Sequence, residues 1–273
     1  MKIASWNVNS LRVRLSQALA WLTQHQPDIL GLQETKISDY EFPCTSFEEL
    51  GYHAIFNGQK TYNGVAFISK LPATDCITDP PGLNDSQRRI LAASFDGVRV
   101  INLYAPNGGA VGSDKYAYKL DWLIKITDFI RDELARYPQL LVLGDLNIAP
   151  EDRDVHDPEA WREQILCSTA ERQAFQKLQA LGLTDAFRHF EQPEASFSWW
   201  DYRSGSFRRN WGLRIDHILL SRELLAQCRS SRIDKTPRKL ERPSDHAPIL
   251  VEFGAGTAVQ PTVRPYLSAS SLV

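Results

Sequence analysis

The stretch "LLVLGDLN" at residues 140–147 decides the class of fold. Its opening run is apolar without alternation. A strand with one wet face alternates; a continuous run suits a strand covered on both faces. After Gly144 the character changes, and Asp145 and Asn147 stand at the strand end. Asp145 after a glycine can be a helix cap, and Asn147 ahead of Pro150 a turn residue. Ligands and catalytic groups nevertheless collect at strand ends in α/β proteins, on loops that a rigid sheet holds.

Working outward, strand-like runs recur at 2–8, 28–34, 64–69, 90–95, 98–105, 213–220 and 247–253. Several alternate apolar with small or polar residues, as half-buried strands do. Helical periodicity covers 11–24, where Leu11, Leu15, Ala18, Leu19 and Leu22 share a face and Ser10 stands at the N-cap position. Further helices are predicted over about 115–136, ending before Pro138, and about 170–181, with Gly182 as the C-cap. Strands and helices interleave, so the chain is an α/β mixture with large sheets. There is no fixed-period repeat and no clear linker. Residues 1–254 read as one domain, and the small, polar, Pro-containing 255–273 as a mobile tail.

Composition narrows the class further. The chain has 273 residues, 43% hydrophobic and 23% charged, an ordinary globular balance. A chain of this length buries about three-quarters of its unfolded surface and needs no staples. Cys44, Cys76, Cys167 and Cys228 are scattered without a C-x-x-C pair, which argues for reduced thiols in a cytosol rather than a disulfide or zinc scaffold. "MKIASWNVNSL" lacks the apolar core of a signal peptide, and no run approaches the roughly 18 residues of a membrane span. The net charge of −2 is a poor guide to nucleic-acid binding when basic residues cluster.

The pattern at the end of 140–147 repeats elsewhere. Asn7 and Asn9 end the first strand, Glu34 the second, Tyr104 and Asn107 follow another, and Asp245–His246 precede the last. Asn7 and Glu34 have bland readings as a turn residue and an exposed strand end. "SDHAPIL" at 244–250 is either a polar turn feeding a strand or the corner of an active site. Asp216 is harder to dismiss, because it interrupts "LRIDHILL" and an unpaired carboxylate among apolar neighbours is costly. His217 points to the opposite face of a strand and reads as structural, which leaves His246 as the better partner. Glu34, Asp145, Asp216 and Asp245, with Asn7 and Asn147, form a hard-oxygen set that suits Mg²⁺ or Mn²⁺ rather than zinc. Such a set with one key histidine is the chemistry of metal-assisted phosphodiester hydrolysis.

Residues 197–214, "FSWWDYRSGSFRRNWGLR", carry four arginines from Arg203 to Arg214 without an acid among them. Phe197, Trp199, Trp200, Tyr202, Phe207 and Trp211 are interleaved. Arginine pairs with phosphates and aromatics stack on bases or sugars. The plainer reading is a solvated loop with about half its aromatics dipping into the core. Arg88 and Arg89 add a weaker basic signal.

Together, "WNVNSLR" (6–12), "LQETK" (32–36), "YNGVAFIS" (62–69), "NLYAPNG" (102–108), "GDLNIAP" (144–150), "GLRIDHIL" (212–219) and "SDHAPI" (244–249) resemble, in order, the motifs of the exonuclease III family. That family includes the apurinic/apyrimidinic endonucleases, within the endonuclease/exonuclease/phosphatase superfamily, and the resemblance covers about residues 1–253. It implies a four-layer α/β sandwich, two packed mixed sheets flanked by helices, with the site at one end. It implies a Mg²⁺-dependent DNA-repair phosphodiesterase, with Mn²⁺ as a substitute. The partner would be double-stranded DNA with 3′ ends, nicks or abasic sites, met by a cytoplasmic monomer with no membrane attachment.

The resemblance also implies roles. Glu34 is the principal metal ligand with Asn9 nearby, and Asn7, Asp145, Asn147, Asp245 and His246 complete the metal's surroundings. Asp145 orients or deprotonates the attacking water. His246, held by Asp216, binds a phosphate oxygen. Tyr104 and Asn107 contact the scissile phosphate. Trp199, Leu213 and Ile215 match the apolar pocket for a flipped abasic sugar, while Arg208, Arg209 and Trp211 of the basic–aromatic run are expected, from their own chemistry, to bind DNA. One position departs from the family pattern. Five residues before Glu171 of "ERQAF", abasic-site enzymes usually carry a small residue; here it is Leu166. A bulky wall there would favour 3′-end processing (3′→5′ exonuclease and 3′-phosphatase) over internal incision. Dominant abasic-site incision, or a non-DNA phosphatase of the same superfamily, are the alternatives. A catalytically dead DNA-binding protein would have lost Glu34, Asp145 or His246; all are present.

Overall fold

The protein is seen here as a computed structural model that describes residues 1–254; the tail expected at 255–273 lies outside the described residues. The strands are β1 (Lys2–Asn7), β2 (Ile29–Gln33), β3 (His53–Asn57), β4 (Val65–Ser69), β5 (Thr74–Ile77), β6 (Ile90–Phe95), β7 (Val98–Tyr104), β8 (Leu140–Asp145), β9 (Thr184–Asp185), β10 (Asp216–Leu220), β11 (Cys228–Ile233) and β12 (Ile249–Phe253). The helices are α1 (Leu11–His25), α2 (Cys44–Glu48), α3 (Asp114–Arg136), α4 (Thr169–Ala180), α5 (Ala186–His189), α6 (Ser206–Arg209) and α7 (Arg222–Leu225).

All six residues of β8 are buried, as its unbroken apolar run requires. Leu141 and Leu143 enter a core between two sheets, with Ile3, Phe67, Val100 and Val251. Leu140 and Val142 face the other way, into a core with Trp122 and Ile126 of α3 and Phe175 of α4. A third core packs α1 and α2 on the outer face of the first sheet through Trp6, Trp21, Leu22 and Phe47. The result is the four-layer sandwich, helix–sheet–sheet–helix, with sheets ordered β11-β12-β1-β2-β4-β3 and β5-β6-β7-β8-β10-β9. Gly144 has no substitute, because at φ 140° a Cβ would fall 1.9 Å from the Leu103 carbonyl oxygen.

The register collects the site at one end. β1 and β2 run parallel with Asn7 opposite Gln33, and β7 and β8 run parallel with Tyr104 opposite Asp145. β10 is antiparallel to β8, so its first residue, Asp216, faces Asp145. β12 is antiparallel to β1, which brings the residues before Ile249 to the same end. Just beneath, Gln33 Nε2 donates to Asn102 Oδ1 (2.8 Å) and Ser5 Oγ (3.0 Å), tying the two sheets together.

The structure differs from the expected elements in definable ways. β3, β5, β9 and β11 lack a clear periodic signal, and these four are the sheet edges. Edge strands are short and carry polar residues that keep other chains from pairing. The last two ladders start late: residues 213–215 leave the strand because Leu213 bridges Val155 and Trp199 instead, and β12 begins only after Pro248, which has no N–H to give. Ser10 stands at the start of α1, but at φ 87° its side chain makes no capping bond. Gly182, at φ 97°, closes α4 as expected, its N–H reaching the Gln179 carbonyl.

Candidate active site

Asn7 is wholly buried at the end of β1. Its amide nitrogen donates to Glu34 Oε1 (2.8 Å) and to Asp145 Oδ2 (2.9 Å), so one side chain joins acids carried on different sheets. Asp145 Oδ1 accepts from the Asn147 backbone N–H (2.9 Å), a local turn that aims the carboxylate. His246 Nδ1 lies 2.9 Å from Asp216 Oδ2, and Nε2 faces Asp145 Oδ2 at 3.7 Å. The buried carboxylate at 216 thus finds the histidine expected for it.

Ser198 completes this row. Its hydroxyl donates to Asp216 Oδ2 (2.6 Å) and accepts from the Ile215 and Asp216 N–H groups (3.1 Å each). Ser244 does the same for the other loop, donating to the Asn7 carbonyl (2.7 Å) and accepting from His246 N–H (3.2 Å). Neither serine has a sequence signal, since each acts on a partner that only the fold brings near. "SDHAPIL" is thus a turn, and that turn aims His246 at Asp216, so the turn reading and the active-site reading are compatible.

The rim is polar. Asp245 accepts from Asn9 Nδ2 (2.9 Å) and Trp199 Nε1 (3.0 Å). Lys36 Nζ reaches Glu34 Oε2 (3.0 Å) and Asn9 Oδ1 (2.7 Å). Asn107 Nδ2 donates to Asn147 Oδ1 (3.3 Å), whose own amide donates to the Ala105 carbonyl (3.0 Å). Tyr104 stands under the Arg89 guanidinium, 4.8 Å from the ring centre. Burial, then the charges of Glu34 and Asp145, push the Tyr104 phenol well above its ordinary range, so it remains a hydrogen-bond donor.

Electrostatics set the proton inventory. Burial raises Asp145 to about 7, with Asp216 and Glu34 adding to the rise against the opposing charge of His246. Burial alone would lower His246, but Asp216 and then Asp145 reverse it and lift it to about 10. Asp245 is resisted by burial yet held low by the His246 charge and by its Asn9 and Trp199 bonds. His217 is different. Burial and the Arg214 charge lower it to about 4, and it bonds Arg214 and the Ile148 carbonyl, a structural histidine as its strand face predicts.

Of the residues expected around a metal, Glu34, Asp145 and His246 bring ligand atoms within 4.8 Å of one another. Asn7 ties two of them, Asn9 and Asp245 pair on the rim, and Asn147 turns its amide toward Asn107 and Ala105. The donor set fits a hard divalent cation: its acids offer oxygen, and Asp145 is buried with its charge under-compensated, which a cation would relieve.

The aromatic–basic stretch divides. Arg208, Arg209 and Trp211 are exposed, with Arg209 over the Trp211 ring at 4.5 Å and Trp211 stacked on His156. Phe197 and Trp200 are buried in the core. Arg214 corrects the reading of a wholly phosphate-facing run: it is buried, binding Asp154 at 2.7 Å and Asp185 at 2.8 Å. Trp199, Leu213 and Ile215 do meet, in an apolar cluster with Val155 and Ala149, and Leu166 belongs to the same cluster. Leu166 is held at φ 73°, a left-handed conformation that favours glycine.

Comparison with known proteins finds the same fold and one family. Residues 4–246 match the endonuclease/exonuclease/phosphatase family. The chain is 39% identical to the exodeoxyribonuclease III of Haemophilus influenzae over 93% of its own length and 100% of that protein. It superposes on a 3′ phosphatase from Neisseria, solved with a product DNA hairpin, at TM-score 0.92 and 49% identity, covering 93% of this chain and 99% of that one. An AP endonuclease from Archaeoglobus fulgidus aligns at TM-score 0.89 and 36% identity over 93% and 99% of the two chains.

Proposed function

The chain belongs to the endonuclease/exonuclease/phosphatase family, and from that premise we propose that it is a Mg²⁺-dependent DNA-repair phosphodiesterase of the exonuclease III type. It hydrolyses double-stranded DNA at 3′ ends and nicks, as 3′→5′ exonuclease and 3′-phosphatase, and incises 5′ to abasic sites less well. The observation that carries the reading is the single Asn7 amide that joins Glu34 to Asp145, with Asp145 facing a histidine that Asp216 holds.

A phosphodiester is an anion that repels hydroxide, so the site must neutralise charge as it builds. Glu34 and Asp145 would hold the cation, which would supply that neutralisation together with Lewis acidity. His246, raised to about 10 and so protonated, has no lone pair to give it, against its expected place among the metal ligands. Asp145 takes the proton of the attacking water, worth roughly 10²–10⁴ in rate, and Asn7 and Asn147 position it. His246, charged and oriented by Asp216, stabilises a phosphate oxygen. Tyr104 and Asn107 donate to the scissile phosphate, and Asp245 assists at the leaving group. Arg208, Arg209 and Trp211 hold the duplex, and Trp199, Leu213 and Ile215 receive the terminal sugar.

Leu166 supports the preference for 3′ ends, since it fills the apolar cluster where a flipped sugar would sit. Arg209 stacked on exposed Trp211 favours DNA over the non-DNA phosphatase reading. Four free cysteines support a reducing cytosol, where we place the protein as a monomer. Among the described residues no helix is long and apolar enough to cross a membrane. The deciding assay offers one duplex ending in a 3′-phosphate and one with an internal abasic analogue, each with Mg²⁺ or EDTA. Faster Mg²⁺-dependent turnover of the first is expected. Activity in EDTA, or on neither DNA, overturns the reading; equal rates overturn the preference.

A further inference from the structure

Behind the two amide-bearing loops lies a buried ion pair with no part in the chemistry above. Lys119 on α3 and Glu171 in the first turn of α4 are both wholly buried and bonded to each other. Lys119 Nζ also donates to the backbone carbonyls of Asn147 (2.7 Å) and Asn107 (3.2 Å). Its three protons are thus spent on Glu171 and on the backbones of Asn107 and Asn147, the first assigned above to the phosphate and the second to the attacking water. Glu171 in turn accepts from Leu166 N–H (3.1 Å) through Oε1 and from Ser168 N–H and hydroxyl (3.1 and 2.7 Å) through Oε2.

Burying a lysine and a glutamate costs several kcal/mol per ion, and apolar residues of like volume often pack as well or better. Packing therefore does not account for this pair. What apolar residues lack is the ability to grip two carbonyls and an amide from three separate loops. Those loops carry Asn107, Asn147 and Leu166, and among the described residues no other pair of side chains hydrogen-bonds to all three.

We propose that Lys119 and Glu171 are positioning residues that lock the Asn107 and Asn147 loops to the Leu166 wall, so that Asn107, Asn147 and the sugar pocket keep one spacing. Turnover and the balance between 3′-end and abasic-site substrates both depend on that spacing. The proposal rests on the roles assigned above to Asn107 at the phosphate and Asn147 at the attacking water.

The test is steady-state kinetics on 3′-phosphate and abasic duplexes, with melting temperature measured alongside. Lys119→Met alone strands a buried carboxylate and can unfold the protein, so the informative variant is Lys119→Met with Glu171→Met, which removes both charges. It is expected to fold, to lose about 100-fold in kcat with KM little changed, and to shift the ratio of the two activities, as small misplacement of positioning groups does. Its Mg²⁺-induced rise in melting temperature should survive, because Glu34 and Asp145 are untouched. Lys119→Arg should recover part of the rate. If the double variant is insoluble, Glu171→Gln is read by the same measures. Wild-type kcat and substrate ratio in the folded variant, with Asn147→Ala impaired, overturn the proposal alone. Full activity in Asn107→Ala and Asn147→Ala overturns the roles assigned to those two residues and the proposal with them.

Discussion

His246 and Asp216 are held 2.9 Å apart, histidine Nδ1 to carboxylate Oδ2, with both side chains buried. The pair explains why His246 keeps its proton in a site where burial alone would remove it. Asp216→Asn keeps the shape and deletes the charge, so burial then acts on His246 with only Asp145 and Asp245 opposing it. The expected outcome is a fall in kcat of about 10²-fold or more and an alkaline limb of the pH–rate profile moved to lower pH. A profile of unchanged shape in the variant would show that His246 does not work in its charged form.

Stability should respond to pH in two windows. Asp145 is raised from 3.8 to about 7, so the folded state holds its proton more tightly than the unfolded state does. That stabilisation is complete below about 4 and is lost as pH rises through about 7. His246 is raised from 6.5 to about 10, so its contribution is complete below about 6.5 and lost as pH rises through about 10. The melting temperature of protein in EDTA should therefore fall from pH 5 to pH 10. Asp145→Asn should flatten the lower part of that decline and His246→Gln the upper part, which differential scanning calorimetry can resolve.

How far the site is legible in sequence follows from how its parts are built. Asp216 betrays itself because a carboxylate inside an apolar strand must have a partner, and β8 betrays itself because an unbroken apolar run needs two covered faces. Asn7, Glu34 and Asp145 are legible as polar residues at strand ends. Ser244 and Asn7 are 237 residues apart, and Lys119 and Glu171 are 52 apart. Neither partnership leaves any periodicity, since a buried lysine reads like any other helical lysine until its neighbours are known. The edge strands escape for a related reason: their polar faces answer to the need to avoid pairing, which erases the alternation that marks the central strands.

Cation binding should be measurable apart from catalysis. A ligand that binds only the folded protein stabilises it by about 2.7 kcal/mol at a hundred times its dissociation constant. Mg²⁺ in place of EDTA should raise the melting temperature, and Glu34→Ala should abolish most of that rise. In the same titration, filling the site should lower the pH at which Asp145 loses its proton, shrinking the decline between pH 5 and 7. No Mg²⁺-dependent shift in the wild-type protein would argue against a cation at Glu34 and Asp145.

Leu166 combines two features that pull a substitution in opposite directions. Its backbone lies at φ 73°, where glycine is at ease and leucine is not, while its side chain is buried beside Leu213 and Ile215. Leu166→Gly relieves a backbone cost of about 1–2 kcal/mol. It also opens a cavity, and burying and then deleting a leucine side chain costs about 2–5 kcal/mol. A modest net loss of stability is expected. The opened space lies in the proposed sugar pocket, so incision at an internal abasic analogue should rise by roughly 10-fold relative to removal of a 3′-phosphate, the discrimination that a few methylenes of pocket shape can give. Competition between the two duplexes in one reaction reads that ratio directly. A ratio that stays at the wild-type value while the melting temperature falls would make Leu166 a packing residue alone.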